Sequence, residues 1–304
     1  MIDNYLVLGG IIVDDLIYDN GNTSMGVVGG GGLYAAVGAR IWTEEVFMVA
    51  RVGANFDVEV VDSYGLSSEY IEETSLPTPR AWQILDAQHE RTQIPRVSTT
   101  EWYAQLIIDE SNLPDEKLFT GLHILGRGFE SEARIIERYM RKGTIISYEP
   151  VVSEHTNKKH LDVIVSCLEM VNIFSPDLLA CEVIGNLRDP IQAGRWFADH
   201  GVKNVVVRMG KQGALLVQTD NDNVWQIPSC ANEIVNTVGA GNAFCGGFLV
   251  GWCSSNGDVR YAGSSASISA AITMENIGSP MVTPELSKRA FGLRNEFMNK
   301  VVKQ

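Results

Sequence analysis

Apolar, strand-like segments alternate with helix-like segments from Leu122 onward, and this alternation limits the possible folds more than any other feature of the chain. The strand-like segments read "LHILGRG", "GTIISYEP", "MVNIFSP" and "VKNVVVRMG", and the helix-like ones include "SEARIIERYMRK" and "DPIQAGRWFADH". Alternating strands and helices form βαβ units, in which the strands lie parallel in one sheet. The sequence therefore predicts an α/β fold built on a parallel sheet.

The N-terminal part has a different pattern, with more strands and more glycine. Residues 5–18, "YLVLGGIIVDDLIY", have two apolar halves around Gly9-Gly10 and are predicted to form a strand that enters the sheet. Residues 28–42 contain a glycine run followed by a helix, and residues 80–96 predict a hairpin with a solvated outer face. We interpret the chain, 1–304, as one domain with a small β insertion near its N-terminal side.

The charge of the chain argues against one class of partner. Among its 304 residues 37 are acidic and 24 are basic, which gives a formal net charge of −13. The basic residues are scattered singly or in pairs such as Lys158-Lys159. Because a phosphate polymer is repelled by such a field, we expect no nucleic-acid partner.

Cysteine and histidine spacing predicts neither a metal site nor a disulfide framework. The five cysteines form no CxxC pair, and the five histidines form no pair at a spacing typical of metal ligands. We expect free thiols in a reducing cytosol. The start of the chain lacks the basic region of a signal peptide, and the longest apolar segment, 243–253, is about half of the ~20 residues that span a membrane. These features predict a cytoplasmic protein with no membrane partner.

A glycine-rich segment near the C-terminal end predicts an anion-binding loop. Residues 233–252, "EIVNTVGAGNAFCGGFLVGW", suggest a short strand, a glycine turn and a helix. Backbone N–H groups at a helix N-terminus have no intrahelical partners, and glycine lets a phosphate oxygen approach them. A three-residue GxG pattern is also compatible with an ordinary tight turn between a strand and a helix.

The same segment resembles the C-terminal motif of the ribokinase, or PfkB-type, carbohydrate and nucleoside kinases, D-T-x-G-A-G-D-x-F-x-G-G-F. Four further segments resemble motifs of this family in the right order: "GGIIVD", "GGGGLYAAVGARIW", "ARVGANF" and "VVVRMGKQGALLV". The resemblance implies a ribokinase-like fold, with a mostly parallel central sheet, helices on both faces and a small β lid at about 11–30 and 76–110. It also implies transfer of the γ-phosphoryl group of ATP, with Mg²⁺, to a substrate hydroxyl.

The resemblance implies roles for the residues at matching positions. An anion hole for the transferring phosphoryl group is implied at Gly239, Ala240 and Gly241. Substrate binding is implied for Asp14, Gly30, Gly31 and Tyr34. Nucleotide binding is implied for Arg208, Gly210, Gly213 and Asn236. A weaker match to the family's N-x-x-E motif implies Mg²⁺ binding by Asp177 and Glu182.

The position of the catalytic base departs from the family pattern. Asn242 stands where the family has the last aspartate of G-A-G-D, and Asn236 replaces the first aspartate of the same motif. A general base contributes ~10²–10⁴-fold in rate. Asn242 can accept a hydrogen bond from a substrate hydroxyl through its carbonyl oxygen, but it cannot remove the proton.

Other departures lie around the substrate and the phosphates. Tyr34 stands where the sugar loop usually has asparagine, and it either fills the core or stacks on a ligand. In the N-x-x-E motif, Asp177 replaces the asparagine and Ala180 the glutamate, with Glu182 two residues late. Arg208 replaces a threonine, and its guanidinium matches phosphate geometry, which would compensate in part for the lost carboxylates.

Three functions are compatible with these residues. The first is a kinase that phosphorylates a hydroxyl of a sugar, a nucleoside or a related small metabolite with MgATP. The second is a catalytically inactive relative, a pseudoenzyme, that binds nucleotide or metabolite and acts through a partner. The third is hydrolysis of a nucleoside or sugar-phosphate bond with Asp14 or Asp177 as the acid–base group. The expected partner is a small-molecule substrate, and lids of this kind suggest a homodimer.

Overall fold

A computed structural model of the chain describes residues 3–88, 91–114, 117–153, 156–220 and 223–304. Within this part of the chain the strands form two sheets, one of ten strands and one of four. The strands are β1 (Tyr5–Leu8), β2 (Ile12–Ile17), β3 (Thr23–Gly29), β4 (Val46–Gly53), β5 (Ile71–Thr74), β6 (Arg80–Leu85), β7 (Arg91–Pro95), β8 (Gly121–Gly126), β9 (Ile145–Pro150), β10 (Ile173–Phe174), β11 (Asn204–Arg208), β12 (Ala214–Gln218), β13 (Asn223–Ile227) and β14 (Val302–Lys303).

The larger sheet has the order β14-β13-β12-β11-β10-β9-β8-β1-β4-β5. Pairing is parallel from β11 through β10, β9, β8 and β1 to β4, as the alternation of strands and helices predicts. The strands β12, β13 and β14 then pair antiparallel at one edge. In β1 and β8 every residue is buried, since helices cover both faces of the sheet there.

The smaller sheet, here called the lid sheet, has the order β3-β2-β6-β7. Its β6–β7 hairpin is antiparallel and agrees with the hairpin predicted over residues 80–96. The tips of this hairpin and of the β12–β13 hairpin, residues 89–90 and 221–222, lie outside the described residues. Buried and exposed positions alternate along β6, so one face of the lid sheet is covered and the other is solvated.

Helices cover both faces of the larger sheet. They are α1 (Gly31–Arg40), α2 (Thr99–Leu106), α3 (Glu130–Met140), α4 (Lys158–Cys167), α5 (Leu178–Gly185), α6 (Pro190–Asp199), α7 (Ala240–Ser254), α8 (Val259–Met274) and α9 (Pro284–Phe297). One core forms under α1, α7, α8 and α9, and a second forms under α3, α4, α5 and α6. Among the described residues no helix is long and apolar enough to cross a membrane.

Glycines let α1 and α7 pack backbone against backbone. A side-chain carbon at Gly38 would lie 2.6 Å from the Cα of Ala243, and one at Gly246 would overlap the carbonyl oxygen of Ala35. Small residues are therefore required at these two positions, because each helix approaches the other more closely than a methyl group allows. This contact fixes the first two turns of α7 against the second half of α1.

Two predictions of local structure were wrong. Residues 5–18 do not form one strand: β1 belongs to the larger sheet and β2 to the lid sheet, because the chain turns at Gly9-Gly10, where Gly9 packs on Gly32. The segment before the glycine loop is not a strand. The N–H groups of Val235 and Asn236 both donate to the carbonyl oxygen of Met274, so this segment binds the end of α8 instead of a sheet edge.

Candidate active site

The glycine loop leads directly into α7 and leaves the N-terminus of that helix open. Gly239 is the N-cap residue with φ +83°, and α7 has neither a side-chain cap nor an acidic residue in its first turn. The side-chain oxygen of Asn236 accepts the N–H of Val238 at 3.1 Å and so shapes the loop. The N–H groups of Gly239 and Gly241 can therefore bind an anion, supported by the positive end of the helix dipole. The N–H of Ala240 already donates to the carbonyl oxygen of Thr237 at 3.3 Å.

Arg208, at the end of β11, lies beside this loop. A side-chain carbon at Gly241 would be 2.6 Å from its Nη1 atom. The same nitrogen forms an ion pair with Glu149 Oε1 at 2.8 Å, and 12% of the Arg208 side chain is exposed. Its Nε atom is buried and makes no hydrogen bond within the described residues. The guanidinium thus adds positive charge next to the open helix terminus and keeps an unused donor.

Asn242, in the first turn of α7, is held in one orientation by Glu149. Its Nδ2 atom donates to Glu149 Oε1 at 2.9 Å. Because a carboxylate paired with arginine accepts and does not donate, the amide nitrogen must face Glu149 and the amide oxygen must face away. A side-chain carbon at Gly31 would lie 3.0 Å from the same Nδ2, so Asn242 also contacts the start of α1.

Glu149, at the end of β9, connects these groups and was not identified from the sequence. It is 3% exposed, and its Oε1 accepts from both Arg208 and Asn242. Burial opposes its ionisation, but Arg208, His123 and Asn242 together lower the pKa of Glu149 to about 2. A single acidic residue at the end of the apolar strand "IISYEP" was the only available signal. The network that surrounds it arises from elements that are distant in the chain.

The predicted substrate residues meet at the base of the lid sheet. Asp14, on β2, is 2% exposed and accepts a hydrogen bond from Gln83 Nε2 at 2.6 Å. Burial raises the pKa of Asp14 to about 6, although Gln83 and Arg91 oppose the shift. Gly30, with φ +97°, is the N-cap residue of α1, and its backbone approaches Gly10 too closely for a side chain.

Tyr34 is a core residue between the lid sheet and the glycine loop. It is 2% exposed and packs with Leu16, Leu85 and Val238. A side-chain carbon at Gly239 would overlap its ring. Its buried hydroxyl makes no hydrogen bond within the described residues. The structure therefore favours the core-filling interpretation, with one polar atom left for a ligand.

Asp15, the next residue on β2, has the opposite environment from Asp14. Its carboxylate pairs with Arg80 at 2.8 Å and with Arg96, and it accepts the N–H of Gly26 at 2.9 Å. Arg80 above all, with Gly26 and Arg96, holds the pKa of Asp15 well below its usual range. Asp15 therefore braces the lid sheet, while Asp14 has a single hydrogen-bond donor in the part of the chain that the structure describes.

The two predicted magnesium ligands lie in different settings. Asp177 is the N-cap of α5, and its Oδ1 accepts the N–H of Ala180 at 2.8 Å. It also forms an isolated backbone bridge with Arg208. Glu182 is bound to Arg188 at 2.6 Å on an exposed surface. Asp177 therefore lies next to Arg208, whereas the Glu182 carboxylate is engaged by Arg188, and Mg²⁺ binding by either residue stays a prediction.

The remaining nucleotide positions form a turn after β11. Gly210 and Gly213 have φ +58° and φ +81°, and the N–H of Gly213 donates to Gly210 at 2.9 Å. A side-chain carbon at Gly210 would meet no atom within 4 Å, so the turn is open to a ligand there. The positive φ angles explain why glycine occupies both positions.

A cleft of about 550 Å³ lies beside the segment that precedes the glycine loop, and no sequence motif indicated it. Its walls are formed by the end of α8, the following loop and α9. The lining residues are Glu233, Glu275, Asn276, Ser279, Pro280, Met281, Leu286 and Arg289.

Comparison with known proteins finds similarity along almost the whole chain. Residues 9–285 match the family described as pfkB family carbohydrate kinase. A cytidine kinase from Thermococcus kodakarensis is 25% identical over 250 residues, which cover 81% of this chain and 87% of the relative. A deoxyribokinase from Salmonella typhi is 24% identical over 302 residues, which cover 93% and 96%. A ribokinase-type structure from E. coli in complex with ATP and Mg²⁺ has a TM-score of 0.79 at 18% identity, covering 97% of this chain and 100% of that one.

Proposed function

Because the chain belongs to the pfkB family of carbohydrate kinases, we propose that it transfers the γ-phosphoryl group of ATP to a hydroxyl of a sugar or nucleoside. The observation that carries this proposal is the contact between the substrate residues and the glycine loop. Gly31 lies against Asn242, and Tyr34 packs under Gly239. An acceptor bound at Asp14 would therefore lie close to the open end of α7, where the transferring group is bound.

The glycine loop and Arg208 supply most of the proposed catalysis. Phosphoryl transfer depends mainly on positioning and on neutralising charge on the phosphate oxygens. The N–H groups of the loop and the guanidinium of Arg208 provide donors and positive charge at one point. These groups act without a base, so a slow reaction is expected even with Asn242.

Asn242 orients the acceptor hydroxyl in this proposal. Its Nδ2 is engaged by Glu149, which leaves Oδ1 to accept a hydrogen bond from the hydroxyl. The proton is not taken by Asn242 and leaves with the phosphate ester or to water. The missing base lowers the rate by about 10²–10⁴-fold compared with a kinase that has aspartate at the position of Asn242.

ATP would bring Mg²⁺ into the site, and Asp177, which forms a backbone bridge with Arg208, is the carboxylate that would hold it. When bound, the ion would neutralise charge on the phosphate oxygens. Mg²⁺ commonly keeps several waters and needs only one or two carboxylates besides the phosphates. Asp177 has its Oδ2 atom to offer, because Oδ1 is used in capping α5.

The substrate class follows from Asp14 and from the relatives. A buried carboxylate with one donor accepts further hydrogen bonds from adjacent hydroxyls. The named activities of the two relatives, a cytidine kinase and a deoxyribokinase, use a nucleoside and a sugar. We therefore expect an acceptor that presents hydroxyls of a pentose.

A second candidate is a nucleotide-binding protein that no longer turns over. The observation that favours it is the double engagement of Glu149 Oε1 by Arg208 and Asn242. This network neutralises the carboxylate nearest to the base position. In this case the glycine loop would bind nucleotide, and the protein would act through a partner.

One experiment separates the two candidates. Wild type, Asn242→Asp and the double variant Glu149→Gln/Asn242→Asp are incubated with MgATP and a panel of sugars and nucleosides, and phosphate esters are detected by phosphorus NMR. Asn242→Asp alone places two carboxylates about 2.9 Å apart, and they will share a proton. The double variant removes this repulsion, so we expect it to be the fastest of the three.

The outcomes are distinct. Ester formation by wild type, increased in the double variant, supports the kinase. Nucleotide binding in all three proteins without ester formation rejects the kinase and supports the second candidate. A wild type that does not bind MgATP contradicts both. Reactions without acceptor serve as the control for simple hydrolysis of ATP.

A further inference from the structure

Three buried side chains with metal-binding atoms meet behind Asn242. They are His123 on β8, Glu149 on β9 and Cys245 on α7, and one ligand atom of each lies within 4.8 Å of the others. Their exposures are 0%, 3% and 1%. A nitrogen, an oxygen and a sulfur ligand thus converge from three elements at a point closed to solvent.

Two of these atoms have no hydrogen-bond partner within the described residues. His123 Nε2 and Glu149 Oε2 are both buried and lie 3.4 Å apart, beyond the usual 2.7–3.2 Å of an N–H···O bond. The other carboxylate oxygen, Oε1, is already occupied by Arg208 and Asn242. Leaving buried polar atoms without a hydrogen bond is unfavourable, so a ligand between them would relieve this arrangement.

The geometry matches two ligands of a tetrahedral metal ion. Atoms bound at about 2.1 Å from such an ion are roughly 3.4 Å apart. His123 Nδ1 lies 3.1 Å from Ser147 Oγ, so the hydroxyl can accept the Nδ1–H and leave the lone pair of Nε2 free. Metal-binding histidines usually have such a partner on the other ring nitrogen.

We propose that His123 Nε2, Glu149 Oε2 and Cys245 Sγ form a site for a divalent cation of the zinc class. Nitrogen, thiolate and carboxylate ligands suit zinc, whereas magnesium requires oxygen ligands, so this site is separate from the ion that accompanies ATP. Ser175 Oγ, 3.4 Å from Cys245 Sγ, or a water is available for the fourth position. Arg208 binds Glu149 Oε1 and orients the carboxylate towards the ion.

The cation would join the first turns of α7 to two central strands. Cys245 follows Asn242 by less than one helical turn, and Glu149 also holds the amide of Asn242. The ion would therefore fix the glycine loop from behind without contacting substrate. Spacing rules missed the site because the three ligands come from separate elements, while such rules detect ligands close together in sequence.

The test uses the metal alone, so it does not depend on turnover. The full chain is produced with zinc, its metal content is measured, and the zinc is exchanged for cobalt. We expect one ion per chain and a cobalt spectrum with a thiolate charge-transfer band and the ligand-field bands of tetrahedral cobalt. Cys245→Ser should lose the charge-transfer band, and His123→Gln should weaken binding at least 10-fold.

Cys253→Ser is the matched control, since Cys253 lies on the same helix and outside the cluster. It should bind cobalt with the wild-type spectrum. Zinc should raise the Tm of wild type and of Cys253→Ser, and should leave the Tm of Cys245→Ser unchanged. If the cluster variants do not fold, the cobalt spectrum of wild type decides alone. Two results would overturn the proposal. The first is wild-type protein that contains no metal and takes up no cobalt when it is refolded with it. The second is a cobalt spectrum without the thiolate band.

Discussion

Two buried carboxylates, Asp14 in the lid sheet and Glu149 in the central sheet, are in opposite electrostatic states. Glu149 has an arginine at 2.8 Å and an amide at 2.9 Å, and its pKa is lowered. Asp14 is as deeply buried but has one hydrogen bond within the described residues, from Gln83, and its pKa is raised to about 6. The charge of Glu149 is therefore balanced by an arginine, whereas Asp14 is bound by a neutral amide.

The difference indicates what each carboxylate is for. A buried charge that is paired with an arginine holds neighbouring groups in place, as Glu149 holds Asn242 and Arg208. A buried carboxylate with few partners is unfavourable for folding and is typical of a position where a ligand completes the hydrogen bonds. On this basis we propose that the central sheet organises the phosphate end of the site and that the lid sheet recognises the acceptor.

The largest effect is expected at Glu149, whose charge is paired with Arg208. Arg208→Ala leaves Glu149 charged, buried and without its cation, so we expect the free energy of unfolding to fall by about 3–5 kcal/mol. Urea unfolding monitored by circular dichroism measures this change. Adding Glu149→Gln to the same variant should recover part of the loss, because no charge then stays buried.

Arg188→Ala is the matched control for this variant. It breaks the exposed ion pair with Glu182, in which the Arg188 side chain is 84% exposed. We expect a change within about 0.5 kcal/mol, since water replaces the lost partner. Equal effects of the two arginine substitutions would mean that the burial of the Arg208 pair does not contribute to stability.

A smaller effect on stability, of opposite sign, is expected at Asp14. The folded-state pKa of Asp14, about 6, lies above its ordinary 3.8. Its stabilising contribution is therefore present below about pH 4 and lost as the pH rises through about 6. Asp14→Asn resembles the protonated form, so its free energy of unfolding at pH 8 should exceed that of wild type by up to about 3 kcal/mol. Below pH 4 the two proteins should not differ.

Asp15→Asn tests the same strand with the reverse sign. The folded-state pKa of Asp15 is lowered, so its contribution is present above the ordinary value and lost as the pH falls through the folded-state pKa. The variant should be less stable than wild type at neutral pH, and the deficit should shrink on acidification. Parallel pH profiles for the two variants, from urea midpoints between pH 3 and pH 8, would contradict the contrast between Asp14 and Asp15.

The smallest effect compares two glycines of the loop. In Gly239→Ala the alanine must adopt φ +83°, and its methyl group overlaps the ring of Tyr34. We therefore expect the free energy of unfolding to fall by about 1–3 kcal/mol. Gly241→Ala needs no positive φ and places a methyl group 2.6 Å from a single side-chain atom, Arg208 Nη1, so its cost should be below that of Gly239→Ala. Thermal unfolding ranks the two variants, and the reverse order would mean that the loop is not held by Tyr34.

Much of the fold could be predicted from sequence because its signal is local. Strand and helix alternation predicted the parallel sheet, and the ordered motifs predicted the ribokinase-like fold, which the similarity to solved structures confirms. The motif matches also located Asp14, Gly31, Tyr34 and Asn242, which the structure brings close to the glycine loop. Their functional roles stay predictions.

The errors lie where the partner of a segment is distant in the chain. Residues 233–238 have strand-like composition, but their N–H groups bind the end of α8. Gln83 and Glu149 carry no motif, and each matters only because of the side chain that it meets.

The sequence by itself determined the α/β class, the family and the asparagine at position 242, because periodicity and motifs are properties of neighbouring residues. Only the tertiary structure decided that Asn242 donates to Glu149, that Arg208 neutralises this carboxylate and that Gln83 is the donor to Asp14 among the described residues. Burial and Coulombic interactions act through space and depend on which elements the fold places side by side. The chemistry of this site is therefore set by contacts that local sequence does not contain.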